Sequence, residues 1–147
     1  MKFDPKKFES LAIFELSKYT VELIREPVEE ADFFPYFLSK AATMDASHLE
    51  FALAILGKIE GETASHKVAE YLVHPDYSVR YIATKIVMRM TDIDEQVMGY
   101  VVKSMKMFAN ERMSFAKELK VVLNRPASDK ARQIALEYVS NFGDGVA

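Results

Sequence analysis

An all-α fold of about eight short antiparallel helices is what this sequence predicts, on three observations. Apolar residues recur every three or four positions through most of the 147 residues. Single Gly, Pro and Asp residues punctuate these stretches, and the short connections force consecutive helices to pack as antiparallel neighbours. No segment alternates convincingly as a half-buried strand would.

Asp4 before Pro5 opens the first helix, because the carboxylate accepts from orphan amides and Pro gives up an N–H that a first turn does not use. Phe8, Leu11, Ala12, Leu16, Tyr19 and Leu23 keep the helical period to about Arg25, and Pro27 supports a stop just beyond. Lys6 and Lys7 sit at the positive end, a small cost. Pro35 is tolerated only in a first turn, so the second helix is expected to begin near Phe33. Asp45 and Ser47 open a third, with Leu49, Ala52, Leu53, Leu56 and Ile59 on one face and Gly61 closing it.

A fourth helix covers 62–74. Pro75 and Asp76 precede a fifth that turns Val79, Ile82, Ala83, Ile86, Val87 and Met90 to one side. After a brief break at 91–94, a sixth puts Met98, Val101, Val102 and Met105 inward, and a seventh is expected over 110–123. Pro126, Ser128 and Asp129 open the eighth, which is expected to bury Ala131, Ile134, Ala135, Tyr138 and Phe142 before Gly143 and Gly145 release the tail.

Composition narrows the function classes. With no cysteine, disulfide frameworks, thiol nucleophiles and cysteine zinc sites are excluded together. A net charge of -3, from 19 basic and 22 acidic residues, supplies no global field toward a polyanion, so a nucleic-acid partner would need a local basic patch. The charged N-terminus with Pro5 lacks a signal core, and no stretch approaches about 20 apolar residues, so a soluble cytoplasmic protein without membrane partners is expected. Half the residues are apolar, enough for burial to offset the entropy of ordering.

The clearest internal unit runs from His74 to Ala83 and contains Pro75, Asp76, Val79, Arg80 and Ala83. It resembles the turn and second-helix start of a HEAT repeat, whose pattern is Pro-Asp, two variable residues, Val-Arg, two more and Ala. The unit makes physical sense: the Asp caps, Val and Ala pack between neighbours, and Arg80 in the first turn reaches acidic or carbonyl groups of the adjoining loop. A looser copy spans Pro126 to Ala135 through Asp129, Ala131, Arg132 and Ala135, and a weaker one spans Asp45 to Leu53 with Glu50 in the Arg position. The resemblance to this armadillo-type helical-repeat family implies one domain, 1–147. It would be a short HEAT-like α-solenoid in which 33–43 pairs with 47–60, 63–74 with 77–90, and 110–123 with 127–142. The first and sixth helices then serve as a cap and an insert.

No catalytic residue, cofactor or metal ligand set is expected. The histidines at 48, 66 and 74 lack the two-His helical spacing of a metalloprotease, and Walker, Rossmann and nucleophile-elbow patterns are missing. Carboxylates at Glu29 and Glu30, and at Asp92, Asp94 and Glu95, fall at helix starts, where they oppose the macrodipole. The methionines at 88, 90, 98, 105, 107 and 113 read as core filling.

Two surfaces stand out as candidates for partner binding. Tyr77, Tyr81, Lys85 and Arg89 fall at intervals of four on the fifth helix, opposite its apolar face, and the resemblance places such helices on a concave surface. Phe33, Phe34, Tyr36 and Phe37 are too dense for one buried stripe, which leaves Phe34 as a candidate anchor beside Glu26, Glu29, Glu30 and Asp32. Lys103, Lys106, Arg112, Lys117 and Lys120 add a basic zone diluted by Glu111 and Glu118.

The leading expectation is a non-enzymatic protein-interaction module, with an immunity protein that masks a toxin as one form. The alternatives are a nucleic-acid-binding relative of HEAT-like DNA glycosylases, using Arg80, Lys85, Arg89 and the basic zone, and a chaperone or assembly factor.

Overall fold

The structure, a computed structural model, describes residues 2–146, with side chains through Phe142. Among the described residues it has nine α-helices and no strand. They are α1 (Pro5–Ser10), α2 (Ile13–Arg25), α3 (Glu30–Lys40), α4 (Ala46–Leu56), α5 (Glu62–Glu70), α6 (Tyr77–Met88), α7 (Glu95–Met107), α8 (Ala116–Val122) and α9 (Asp129–Val146). Short 3₁₀ turns, Ala41–Thr43 and Tyr71–Val73, extend α3 and α5. The contacts divide the chain into two compact units, Met1–Ser65 and His66–Ala147.

In the first unit α2 and α3 both pack on α4. The single helix expected to reach Arg25 is instead broken at Leu11 and Ala12, both extended. A straight helix would separate residues 4 and 19 by about 22 Å. Yet the Asp4 N–H donates to the Tyr19 hydroxyl at 3.0 Å. The break folds α1 back so that Phe3 and Phe8 bury against α3, with Phe3 edge-on to Phe33 at 4.9 Å.

The same cluster corrects the start of the second predicted helix. α3 opens at Glu30, and Pro35 sits inside it. Burial of Phe33 and Phe37 on one side favours the extra turn, while Ala31 and Pro35 are exposed, so the carbonyl that loses its proline-blocked partner faces water. Phe34 and Tyr36 are half-buried. α4 stops at Leu56 with Gly57 as its C-cap, earlier than expected. Gly61, expected to close that helix, lies just before α5 at φ 135, a conformation that favours glycine.

In the second unit the caps are those the sequence predicts. The Asp76 carboxylate accepts from the Val79 N–H at 3.1 Å, Asp94 from Val97 at 3.0 Å, and the Ser128 hydroxyl from Ala131 at 3.1 Å. α7 packs on α9 and α6 on α8, α8 also touches α7 and α9, and the 3₁₀ turn Tyr71–Val73 packs on both α6 and α7. The buried Ser104 hydroxyl donates to the Leu72 carbonyl at 2.7 Å and so satisfies that turn inside the core. An isolated parallel bridge joins Ile93 to Pro126: the Ile93 N–H donates to the Arg125 carbonyl at 3.1 Å and the Ala127 N–H to the Ile93 carbonyl at 2.7 Å. Arg125 also donates to the Met88 carbonyl.

Two expectations fail here. The seventh predicted helix does not begin at Asn110: residues 108–115 form a loop, and α8 covers only Ala116–Val122. α9 runs on through Gly143 and Gly145, since glycine weakens a helix without removing its hydrogen bonds, and Phe142 is largely exposed where burial was expected.

Asp94 couples this unit to pH. Burial alone would raise its carboxyl, but the Val97 N–H and the His66 ring, which it contacts directly, outweigh that and hold it below the usual range. A carboxyl depressed in the folded state stabilises above its unfolded value, near 3.9, and that contribution disappears as pH falls through the folded value. The stability gap between the native chain and Asp94→Asn is therefore expected to be full at about pH 6 and to close below about pH 4, as read by urea unfolding. A gap that stayed constant through that window would remove Asp94 from the acid response.

Candidate interaction face

Helix α6 forms because Asp76 caps it and Val79, Ala83, Ile86 and Val87 bury one side, which leaves Tyr77, Tyr81, Lys85 and Arg89 facing outward. Tyr77 is 45% and Tyr81 42% exposed. The Phe115 ring stacks on Tyr77 with centroids 5.7 Å apart and planes 8° from parallel, and leans on Tyr81 at 5.9 Å. Lys85 places its ammonium 5.4 Å from the Tyr81 ring, a cation–π distance. Three rings and a cation thus form one platform, and Arg89 caps the helix at its far end.

What holds this platform is Arg80, which is only 2% exposed. Its Nη1 donates to the His74 and Pro75 carbonyls at 3.0 Å each, and Nη2 donates to the Met113 carbonyl at 3.2 Å. The Glu111 carboxylate lies 3.6 Å away, and the guanidinium covers the Phe108 ring at 3.8 Å. One buried side chain therefore ties the start of α6 to loop 108–115. At the end of that loop Phe115 adopts φ 55, a left-handed conformation that costs an aromatic residue of order 1–3 kcal/mol and persists only where surroundings enforce it. The Ser114 hydroxyl accepts from the Ala116 N–H at 3.3 Å and starts α8 directly after it.

The other predicted site residues lie in the first unit. Glu29 is the N-cap of α3, Glu30 and Asp32 occupy its first turn, and Phe34 follows half-buried. Their carboxylates complement the positive end of the helix dipole. The predicted partner-binding residues thus belong to separate units. Arg80, proposed as a phosphate contact, is withdrawn from the surface altogether.

Phe115 was missed because nothing in its neighbourhood of sequence marks a left-handed phenylalanine. Leu136, Val139 and Phe142 on α9 were missed as an exposed apolar group, since their helical spacing reads as burial. Lys103, Lys106, Arg112, Lys117 and Lys120 are all exposed, and Lys106 lies 5.0 Å from the Phe142 ring. Charge is uneven along the chain: residues 1–65 hold 7 basic and 12 acidic side chains, and residues 66–147 hold 12 basic and 10 acidic. The aromatic platform accordingly belongs to the net-positive unit.

No protein-family model matches the chain, and neither the curated proteins nor the solved structures contain a significant match. Among the described residues no helix is long and apolar enough to cross a membrane.

Proposed function

We propose that this chain is a non-enzymatic protein-binding module of HEAT-like solenoid type, acting in the cytoplasm, whose docking face is centred on Tyr77, Tyr81 and Phe115. The observation that carries the reading is the enforced stacking of these rings: Arg80 fixes a strained loop so that exposed aromatics are ordered before any partner arrives. Preordered aromatic and cationic side chains lose little freedom on binding, and Tyr and Arg dominate interface hot spots. The Asp76 cap at the start of α6, with Val79, Arg80 and Ala83 all buried, supports the repeat reading.

Lys85 beside the rings, with Arg89 at the far end of the same helix, favours a partner that offers carboxylates around an apolar centre. Masking a toxin's active site is the specific role proposed for such a face. In co-purification from the native host, Tyr81→Ala is expected to weaken retention of the partner at least tenfold, about 1.4 kcal/mol or more, and Lys85→Glu to do likewise. Asp32→Asn in the first unit should have no effect. For the masking role, the recovered partner arrests growth when expressed alone and is neutralised by the chain. Unchanged retention in both α6 variants would sink the face.

A second reading is single-stranded nucleic acid stacking on the same rings, favoured by the exposed Tyr77 and Tyr81 with Lys85 over the Tyr81 ring. Binding of labelled single strands that weakens steeply with salt would support it. Binding that is absent at low salt would end it.

A further inference from the structure

The first unit contains a cleft that no part of the proposed docking face uses. It has a volume of about 170 Å³, ample for several atoms though below the size of a drug-like pocket, and lies among α1, α3 and the start of α4. The chemistry on its walls is specific. The Asp45 carboxylate, as N-cap of α4, accepts from the His48 N–H at 2.8 Å and also meets the His48 ring Nδ1 at 3.0 and 3.1 Å. That pairing calls for a proton on Nδ1, and in the neutral ring it is then Nε2 that carries the lone pair.

Nε2 is fully buried and makes no hydrogen bond, and the equally buried Tyr36 hydroxyl on the same cleft faces the Glu9 carboxylate. An orphan such as Nε2 costs about 1–3 kcal/mol, and protein interiors rarely leave one without a partner. The remaining walls select the ligand. Glu9 and Asp45 bring two carboxylates against one opposing ammonium, Lys40, which is exposed. The Phe8 ring packs edge-on between Tyr36 at 6.2 Å and His48 at 5.5 Å, so an aromatic surface stands beside the acceptors. The unit as a whole, with 12 acidic and 7 basic residues, attracts cations.

We infer that this cleft binds a cationic N–H donor, a guanidinium or primary ammonium group, carried either by a free small molecule or by an arginine or lysine side chain of a partner. Such a group has donors and no acceptors, as His48 Nε2 and the two carboxylates require, and it is attracted by ring faces. An anion would meet Glu9 and Asp45 instead. Asp45 is held ionised by the His48 backbone N–H first and the ring second, and burial followed by the Glu9 charge pushes the Tyr36 phenol up, so it stays protonated. The inference is independent of the α6 face and survives its failure.

The test is an amide-resolved NMR titration of the full chain with methylguanidinium, with neutral N-methylurea as the isosteric control. Methylguanidinium is expected to shift the resonances of Glu9, Tyr36 and His48 with a Kd on the order of 1 mM, and N-methylurea to bind at least about tenfold more weakly. Glu9→Gln, at an exposed position, should weaken methylguanidinium about tenfold, and Lys40→Met should tighten it several-fold by removing the like charge. N-acetylarginine methylamide distinguishes the sources. Equal or tighter binding than methylguanidinium identifies a partner's side chain, and loss of binding identifies a free small cation. Equal response to the urea, no effect of Glu9→Gln, or no shift up to about 50 mM methylguanidinium would overturn the inference.

Discussion

Arg80→Met is expected to destabilise the chain by about 3–5 kcal/mol, the range for breaking a buried charge held by hydrogen bonds from both terminal nitrogens, and to lower the midpoint of thermal unfolding by roughly 6–15 °C. Methionine fills much of the space but donates nothing, so the carbonyls of His74, Pro75 and Met113 lose their common donor. Lysine should rescue little, because a point charge on a flexible stem does not reproduce the guanidinium fork. Arg89→Met, on the exposed end of the same helix, should stay within about 0.5 kcal/mol. The discriminating measurement is hydrogen exchange: residues 108–115 should lose protection in Arg80→Met more than α9 does. If the midpoint moved by less than about 2 °C, the three carbonyls would be adequately served by water and Arg80 would not be the tie that fixes Phe115.

Phe33→Ala is expected to cost about 3–5 kcal/mol, through lost transfer energy and the cavity left behind. Phe33 has no exposed surface and touches Phe3 at 4.9 Å and Phe37 at 6.1 Å, so the hole opens beneath the folded-back N-terminal segment. Phe34→Ala, half-buried one position along, should cost about 1 kcal/mol. Urea unfolding of the two variants compares the faces of α3 directly. Similar losses for both would mean that the aromatic cluster is not organised around Phe33 as described.

The features legible in the sequence were those decided within a few residues. Asp4, Asp45, Asp76, Asp94 and Ser128 each cap the helix that follows, because a short polar side chain reaches amides two or three positions ahead whatever the rest of the chain does. The apolar period likewise located the buried faces of α4, α6 and α7. The errors share another origin. The break at Leu11 depends on Tyr19 and on the burial of Phe3 and Phe8, and the early start of α3 depends on Phe33 and Phe37 finding a core.

The candidate site divides in the same way. Tyr77, Tyr81, Lys85 and Arg89 were legible as an outward stripe because they sit opposite the apolar face of one helix. Their union with Phe115 was not, nor was the meeting of Glu9, Tyr36 and His48 around one cleft.

By itself the sequence determined an all-helical chain, the capped helix starts and most of the inward faces, since backbone capping and helical periodicity act over one or two turns. Only the tertiary structure decided that loop 108–115 would not be helix and that Phe115 would stand left-handed against Tyr77. Its cause is a guanidinium 33 positions away from the Met113 carbonyl it holds, and a contact at that separation leaves no local trace in the order of residues.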